Sequence, residues 1–400
     1  MDPVVARMVL VQVAGALVHR RGKQVHRRWW VHPILRTRNQ RGEYHALVQE
    51  LRLDALLFHQ YFRMPPDYID ELLGKVGPLI TVADTRFRSA IGPAERLVSC
   101  HWRFHHTIGF SYRVGTSSVC RIVREVASAI WTALVEEMSV PKRADWSTMA
   151  EQFEWRWNFP NCIPSIGAID GKHVVIQAPG NSGSLYYNYK GTFSLILLAI
   201  VDADYLFRVV DVGGYGRTSD SGSLRNSAFG EALRDGTLDL PPARVISGAE
   251  QRGPLPHVFV GDEAFPLMTH LLRPFPGQHH TQEKRVFNYR LSRARLVVEC
   301  AFRILASRWR MYRRVIGTSP EVAEVCVRAT CVLHNFLERK KLQGRRRGVE
   351  QNIEPSTDPE ALRDAPRMGS NNATRLTIQM REAYCAFFNE EGAVPWQPRA

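Results

Sequence analysis

Three carboxylates in the second half of the chain have the types and positions that a metal site for phosphoryl transfer needs. Asp170 and Asp262 each follow a short apolar run that predicts a buried strand, and Glu299 lies on a later predicted helix. A carboxylate at the centre of a sheet is costly unless a cation lies against it. Hard divalent cations prefer clustered oxygen ligands, and two such ions about 3.5–4 Å apart can hold both sides of a phosphoryl transfer. The three acids therefore predict a site for two Mg²⁺ or Mn²⁺ ions.

Each acid also has an ordinary structural interpretation. Both aspartates adjoin a glycine, and Asp-Gly or Gly-Asp pairs after a strand are common in turns. Glu299 falls on one helix face with Arg295 and Arg303, which could be a surface ladder of ion pairs worth only about 0.3–0.5 kcal/mol each. The opposite face of that helix is apolar, at positions 297, 301, 304 and 305. The order of two strand-end aspartates and then a helical glutamate favours the metal site over these separate explanations.

Other acids compete for the same role. Asp202 and Asp204 lie in a predicted hairpin turn, and Asp211 ends a predicted strand. Asp220 lies in a segment that resembles a helix cap, and we retain it as a residue that supports the metal site from outside the ligand set.

The charge of the chain predicts a polyanionic partner. The net charge is +14 and the pI is about 9.7, which favours nucleic acid first and an acidic membrane surface second. Residues 1–42 contain nine Lys/Arg and one acid, and residues 284–314 contain ten Lys/Arg and one acid, Glu299. A single carboxylate among ten cations is typical of a metal ligand within a phosphate-binding surface.

Length and composition bound the remaining possibilities. A chain of 400 residues with 44% hydrophobic and 23% charged residues is long enough for two globular domains. The seven cysteines show no zinc-site spacing, and His101, His105 and His106 have no ligand partners at useful spacing. The apolar run 4–18 is too short to span a bilayer and is predicted to be a packed helix. We therefore expect a soluble protein of the nucleus or cytoplasm, with no membrane partner.

The pattern of elements changes from helical to mixed near residue 160. The first part predicts helices over 43–62 and 67–75, and residues 141–160 are interpreted as a connector. Residues 110–134 have helix-turn-helix spacing around Gly115, in which Ser117, Ser118 and Arg121 would face DNA, although an ordinary helical hairpin has the same spacing. The second part predicts a three-strand meander over 165–177, 193–201 and 206–212, a helix over 224–233, a strand over 257–260, and helices over 291–309 and 320–337.

Seven sequence blocks in order resemble the PIF/Harbinger transposases and, more closely, the host nucleases derived from them. The blocks are residues 167–173, 187–191, 201–204, 213–220 and 261–267, the helix of Glu299, and residues 333–336. The match covers roughly residues 165–340. It implies an α/β fold: an RNase H-like DDE nuclease domain joined to an all-helical, helix-turn-helix-like N-terminal region.

The resemblance also implies roles for individual residues. Asp170, Asp262 and Glu299 would hold two Mg²⁺ or Mn²⁺ ions that activate a nucleophile and stabilise the leaving 3′-oxygen. Lys190 and His173 would contact the scissile phosphate or the backbone beside it. Arg295 and Arg303 would neutralise neighbouring phosphates.

Family members are also expected to share DNA recognition with a separate Myb-like protein, and this chain could form a homo-oligomer. Residues 100–106 depart from the family, which usually has a longer, more apolar helix there. This departure bears on site-specific DNA reading more than on catalysis.

The expected organisation has five parts. They are a basic helical region (1–95), a helix-turn-helix-like DNA-binding region (96–140), the nuclease domain (160–340), a disordered linker (341–375) and a docking tail (376–400). The favoured function is a transposase-derived, metal-dependent DNA endonuclease. The alternatives are a domesticated transposase that binds DNA without cutting it and, with less support, a phosphodiesterase that acts on RNA.

Overall fold

A computed structural model describes residue 29 and residues 31–86, 89–100, 105–138, 143–160, 168–346 and 373–397. The helix predicted over 4–18, most of the predicted linker, and the side chains of His101, His105 and His106 lie outside this description. The fold is mixed α/β, with one central sheet and many helices. None of the described helices is long and apolar enough to cross a membrane.

The N-terminal part is helical, as predicted. Its helices are α1 (Pro33–Arg36), α2 (Arg38–Arg41), α3 (Leu47–Leu51), α4 (Ala55–Phe62), α5 (Pro66–Ile80), α6 (Pro93–Ser99), α7 (His105–Ser111), α8 (Thr116–Leu134) and α9 (Arg143–Trp157). The single helix predicted over 43–62 is wrong, because Asp54 accepts hydrogen bonds from the backbone N–H groups of Leu56 and Leu57 and so starts a new helix. The connector predicted over 141–160 is also wrong: its prolines lie outside α9, and nothing between them breaks a helix.

The five-stranded sheet follows. Its strands are β1 (Ala168–Val175), β2 (Ser194–Val201), β3 (Phe207–Tyr215), β6 (Phe259–Val260) and β7 (Leu271–Leu272), in the spatial order β3-β2-β1-β6-β7. The first three pair antiparallel as the predicted meander, and β6 and β7 run parallel to β1. A separate pair, β4 (Arg244–Val245) with β5 (Pro254–Leu255), was not predicted.

Helices cover both faces of the sheet, which is why every residue of β2 is buried. One face packs against α12 (Gln282–Arg308) and α13 (Pro320–Arg346), both longer than predicted. The other face packs against α10 (Asp220–Asn226) and α11 (Ala228–Arg234). A single helix was predicted over 224–233. The structure has two helices there, because the chain bends at Ser227. The hydroxyl of Ser227 donates to the carbonyl of Leu224 and accepts from the backbone N–H of Gly230.

Two contacts join the remaining parts to the sheet. The α8 helix packs against α13, so the helical region and the sheet share one hydrophobic core. The C-terminal helix α14 (Arg375–Asn389) packs against α12, where Arg290 is buried against Phe388 and Trp396. Residues in the predicted docking tail therefore complete the packing of α12.

Candidate metal centre

The strand register brings Asp170 and Asp262 side by side. Ala168 of β1 pairs with Val260 of β6 in parallel orientation. Both aspartates lie two residues further along, where β6 has ended and β1 continues. Adjacent parallel strands are about 4.8 Å apart, so carboxylates at matching positions face the same space. Asp262 is held there by a hydrogen bond from the backbone N–H of Ala264 to its Oδ1, at 2.9 Å.

Asp220 completes a group of three carboxylates. One oxygen from each of Asp170, Asp220 and Asp262 lies within 4.8 Å of the other two, and all three residues are half-buried. Asp220 is the first residue of α10, and Ser219 caps that helix by accepting from the N–H of Gly222.

Gly171 explains how Asp220 reaches Asp170. Asp170-Gly171 is not a turn, because Gly171 lies within β1 and pairs with Leu198. A Cβ atom on Gly171 would stand 2.0 Å from Oδ1 of Asp220, so any other residue type would displace that carboxylate from its position. The glycine is therefore needed for close approach and not for a backbone turn.

The crowding of these acids changes their titration. Burial raises the pKa of Asp220 to about 7, and the neighbouring charges of Asp170 and Asp262 add to the rise. Burial likewise raises the pKa of Asp170 to about 6, with Asp262 and Glu299 adding and Arg295 opposing. In the metal-free protein, ionisation of all three carboxyl groups is therefore unfavourable. A bound cation would offset this cost.

The donor set fits a hard divalent cation. All three donors are carboxylates, the ligands that Mg²⁺ and Mn²⁺ accept. Oxygens bound to one Mg²⁺ lie about 3–4 Å from one another, so shifts of about 1 Å would bring the three onto one ion.

Glu299 lies close by but outside the group. It projects from α12 on the predicted face with Arg295 and Arg303, opposite the buried Val297, Ala301 and Leu305. Its Oε1 accepts from Nη2 of Arg295 at 2.9 Å, and its charge reaches Asp170. Among the described residues, the mutually close carboxylates include Asp220 instead of Glu299.

Two cations, Lys190 and Arg295, act on the acid group. Lys190 is exposed, and its charge acts on Asp220, Lys172 and His173. Burial lowers the pKa of His173, and its Nδ1 lies 2.8 Å from Oγ of Ser194.

The loop of Lys190 is held by Asn188. Its buried side chain accepts from the backbone N–H groups of Lys190 and Thr192 and donates to Ser194. This network fixes the loop beside β1, so Lys190 is held near the acids before any substrate arrives.

Two residues near the centre were missed or undervalued from the sequence. Asp220 was given only a supporting role, and a glycine inside a strand was the available signal for close approach. Lys172 was not considered, although strand alternation places it on the same face as Asp170. Burial lowers the pKa of Lys172, and the charge of Asp170 opposes the shift.

The residues of the helical region that were predicted to face DNA lie on α8, outside the acid group. Ser117 and Arg121 are exposed on α8, and Ser118 is half-buried beside them. The Nε of Arg121 lies 3.9 Å from Oε1 of Glu125, so it forms an exposed ion pair.

The chain is similar to known proteins over the segment that contains these acids. Residues 169–335 match the family described as DDE superfamily endonuclease. An ALP1-like protein of Arabidopsis thaliana is 29% identical over 237 residues, which are 58% of this chain and 55% of that protein. HARBI1 of Rattus norvegicus and of Homo sapiens, named as candidate nucleases, are 25% and 24% identical over 307 residues, which are 74% of this chain and 82% of theirs. No solved structure matches the chain.

The matched family segment contains Asp170, Asp220, Asp262 and Glu299, so the family assignment and the acid cluster concern the same part of the molecule. The resemblance to Harbinger-derived proteins is confirmed: residues 169–335 match the DDE superfamily endonuclease family, and the chain is homologous to HARBI1 and ALP1-like proteins.

Proposed function

We propose that this chain is a transposase-derived, divalent-metal-dependent DNA endonuclease. The observation that carries the proposal is the convergence of Asp170, Asp220 and Asp262 within a DDE superfamily endonuclease domain. Metal ligation by Asp170 and Asp262, with Glu299 from α12, is the arrangement expected from the sequence. Asp220 joins them because its carboxylate lies in the group.

The chemistry would be hydrolysis of a phosphodiester bond. Two bound Mg²⁺ or Mn²⁺ ions would supply an activated nucleophile and charge stabilisation at the leaving 3′-oxygen. Lys190 would bind the phosphate beside the acids, because its loop is already fixed and its charge reaches Asp220. Arg295 and the exposed Arg303 would bind neighbouring phosphates along α12. His173, which lies on the face of β1 opposite Asp170, would contact the DNA backbone.

The sheet supports an RNase H-like fold for the catalytic domain. Three antiparallel strands followed by two strands parallel to β1, in the order β3-β2-β1-β6-β7, are typical of that fold. That fold would bring acids from β1, from the end of β6 and from a later helix to one site; here Asp170 and Asp262 lie together, and Glu299 on α12 lies close by.

The helical region supports a role in DNA binding. The α7 helix ends at Ser111 and α8 begins at Thr116, which is helix-turn-helix spacing, and α8 exposes Ser117 and Arg121. The net charge of +14 supports DNA as the partner and the nucleus as the site of action. A Myb-like DNA-binding partner and self-association complete the proposal, by resemblance to the transposases.

The test is metal-dependent cleavage by the wild type and by Asp262→Asn. The variant should lose cleavage of duplex DNA in Mn²⁺, because it removes a ligand. Its DNA affinity should stay the same or rise, since a negative charge near phosphate is lost. Glu263→Gln is the matched control, because Glu263 is exposed and adjacent in sequence, and it should cut DNA like the wild type.

Two results would contradict the proposal. Loss of DNA binding together with cleavage would make Asp262 structural. No Mn²⁺-dependent cleavage by the wild type on any DNA, with DNA binding intact, would favour the domesticated DNA-binding protein.

A further inference from the structure

An ion pair keeps Glu299 occupied outside the acid group. Arg295 Nη2 donates to Glu299 Oε1 at 2.9 Å, and the two side chains are only 15% and 20% exposed. The proposed function requires Glu299 as a metal ligand, yet in the free protein its carboxylate is already bound to a cation of the chain itself. Metal ligation by Glu299 therefore requires its carboxylate to move towards the aspartates, and the ion pair with Arg295 opposes that movement.

Arg295 is incompletely satisfied in this position. Its Nε is buried and has no hydrogen-bond partner among the described residues. Its charge also reaches Asp170 and Asp220, so it balances the acids from the α12 side. A buried guanidinium donor without a partner is costly, and a ligand that offers two oxygens would remove that cost.

A phosphate group is such a ligand. Arginine binds phosphate through two parallel charge-assisted hydrogen bonds, whereas the pair with Glu299 uses one. A DNA phosphate brings both a negative charge and two acceptor oxygens to the guanidinium, so it can replace Glu299 as the partner of Arg295.

We propose that Arg295 is a positioning residue that withholds Glu299 from the metal centre until a DNA phosphate takes over its guanidinium. The inference rests on the proposed function, because it assumes that Glu299 serves as a ligand. When DNA binds, the phosphate releases Glu299 towards Asp170 and Asp262. The free protein then binds metal through its aspartates, and the complete ligand set forms only on DNA.

The test measures Mn²⁺ affinity of the full chain by isothermal titration calorimetry, without DNA. Glu299→Gln should change the affinity by less than about twofold, because Glu299 is not yet a ligand. Arg295→Gln should raise it about tenfold, because Glu299 becomes free. The gain should vanish in the double variant Arg295→Gln/Glu299→Gln, while the control Arg285→Gln, at an exposed arginine of the same helix, should leave the affinity unchanged.

A second titration uses a cleavage-resistant phosphorothioate duplex. The duplex should raise the Mn²⁺ affinity of the wild type, and Glu299→Gln should now remove most of that gain. Thermal unfolding of each variant in the absence of metal checks that its fold is intact.

Two results would overturn the inference. Loss of Mn²⁺ affinity in Glu299→Gln without DNA would show that Glu299 is already a ligand. A gain from Arg295→Gln that persists in the double variant would show that Arg295 acts only through its charge. Failure of the proposed function gives a different result, in which the wild type binds no Mn²⁺ with or without DNA, and the inference then falls with it.

Discussion

Gly171 sets the distance between Asp220 and the strand that carries Asp170. We predict that Gly171→Ala displaces the Asp220 carboxylate by about 1 Å or more, because the new Cβ would lie 2.0 Å from its Oδ1. The Mn²⁺-induced rise in melting temperature should shrink strongly, by an amount like that in Asp220→Asn.

Gly180→Ala is the matched control for this change. A Cβ at Gly180 meets no atom within 4 Å, so this variant should keep the wild-type response to Mn²⁺. A normal response in Gly171→Ala would show that the Asp220 carboxylate does not contribute to metal binding.

The raised pKa values of Asp170 and Asp220 predict a pH-dependent metal affinity. Protons and metal compete for the same carboxylates, so Mn²⁺ binding should weaken as pH falls from 8 through about 7 and then about 6. Calorimetry at pH 6.5 in two buffers of different ionisation enthalpy should detect proton release on binding. Asp220→Asn should release fewer protons, and equal release would mean that another group titrates.

The same pKa values predict the stability of the metal-free protein. A carboxyl whose pKa is raised by folding disfavours the folded state once the unfolded chain has ionised it, above about pH 4. This contribution should therefore lower the free energy of unfolding as pH rises from about 4 to about 7. Asp220→Asn should lose part of that dependence, as measured by urea unfolding at several pH values.

The candidate site was partly predictable from single residues. Asp170 and Asp262 could be found because each follows an apolar run that predicts a strand of the sheet. Asp220 could be found only weakly, because its approach depends on how α10 packs on the far face of β1, 50 positions along the chain from Asp170. The commitment of Glu299 to Arg295 could be foreseen as an ion-pair ladder, but its separation from the aspartates could not.

Among the elements, α13 is fastened to β3 by one buried side chain. Asn335 accepts from the backbone N–H of Phe207 at 2.8 Å and donates to the carbonyl of the same residue at 2.6 Å. It also donates to the carbonyl of Glu137, which follows α8. Asn335 therefore joins the sheet, α13 and the end of the helical region.

We predict that Asn335→Ala destabilises the fold by about 2–4 kcal/mol. The change leaves a buried N–H and two carbonyls without partners, each worth about 1 kcal/mol or more. Urea unfolding would measure the loss, and Gln343→Ala, an exposed position on the same helix, should be within about 0.5 kcal/mol of the wild type. A loss in Asn335→Ala no larger than in Gln343→Ala would mean that water replaces these bonds.

Helices and strands with a long apolar pattern were predicted correctly. The predictions failed where a capping side chain determines where a helix starts or ends. The meander of β1, β2 and β3 and the helices α12 and α13 followed from apolar patterns. The breaks at Asp54 and Ser227 depend on single side chains that bond to the backbone, and an apolar pattern continues across both. The two-residue strands β4, β5 and β7 are too short to carry any periodic signal.

For the whole molecule, the shared core of α8, α13 and the sheet places the proposed DNA-binding and catalytic surfaces on one body. The proposal assigns DNA contacts to both Arg121 on α8 and Arg295 on α12. One DNA duplex would then contact both surfaces, and the net charge of +14 would attract the duplex to the protein.

Reversal of charge on α8 tests this assignment. Arg121→Glu should weaken DNA binding several-fold and lower the slope of log affinity against log salt by about 1, because one phosphate contact is lost. Mn²⁺ binding should not change, because Arg121 pairs with Glu125 and lies outside the acid group. Fluorescence anisotropy over a salt series measures the slope, and Arg234→Glu, an exposed reversal on α11, controls for the change in net charge. An equal, small loss in both variants would remove α8 from the DNA-binding surface and leave α12 and the loop of Lys190 as the contacts that hold the duplex.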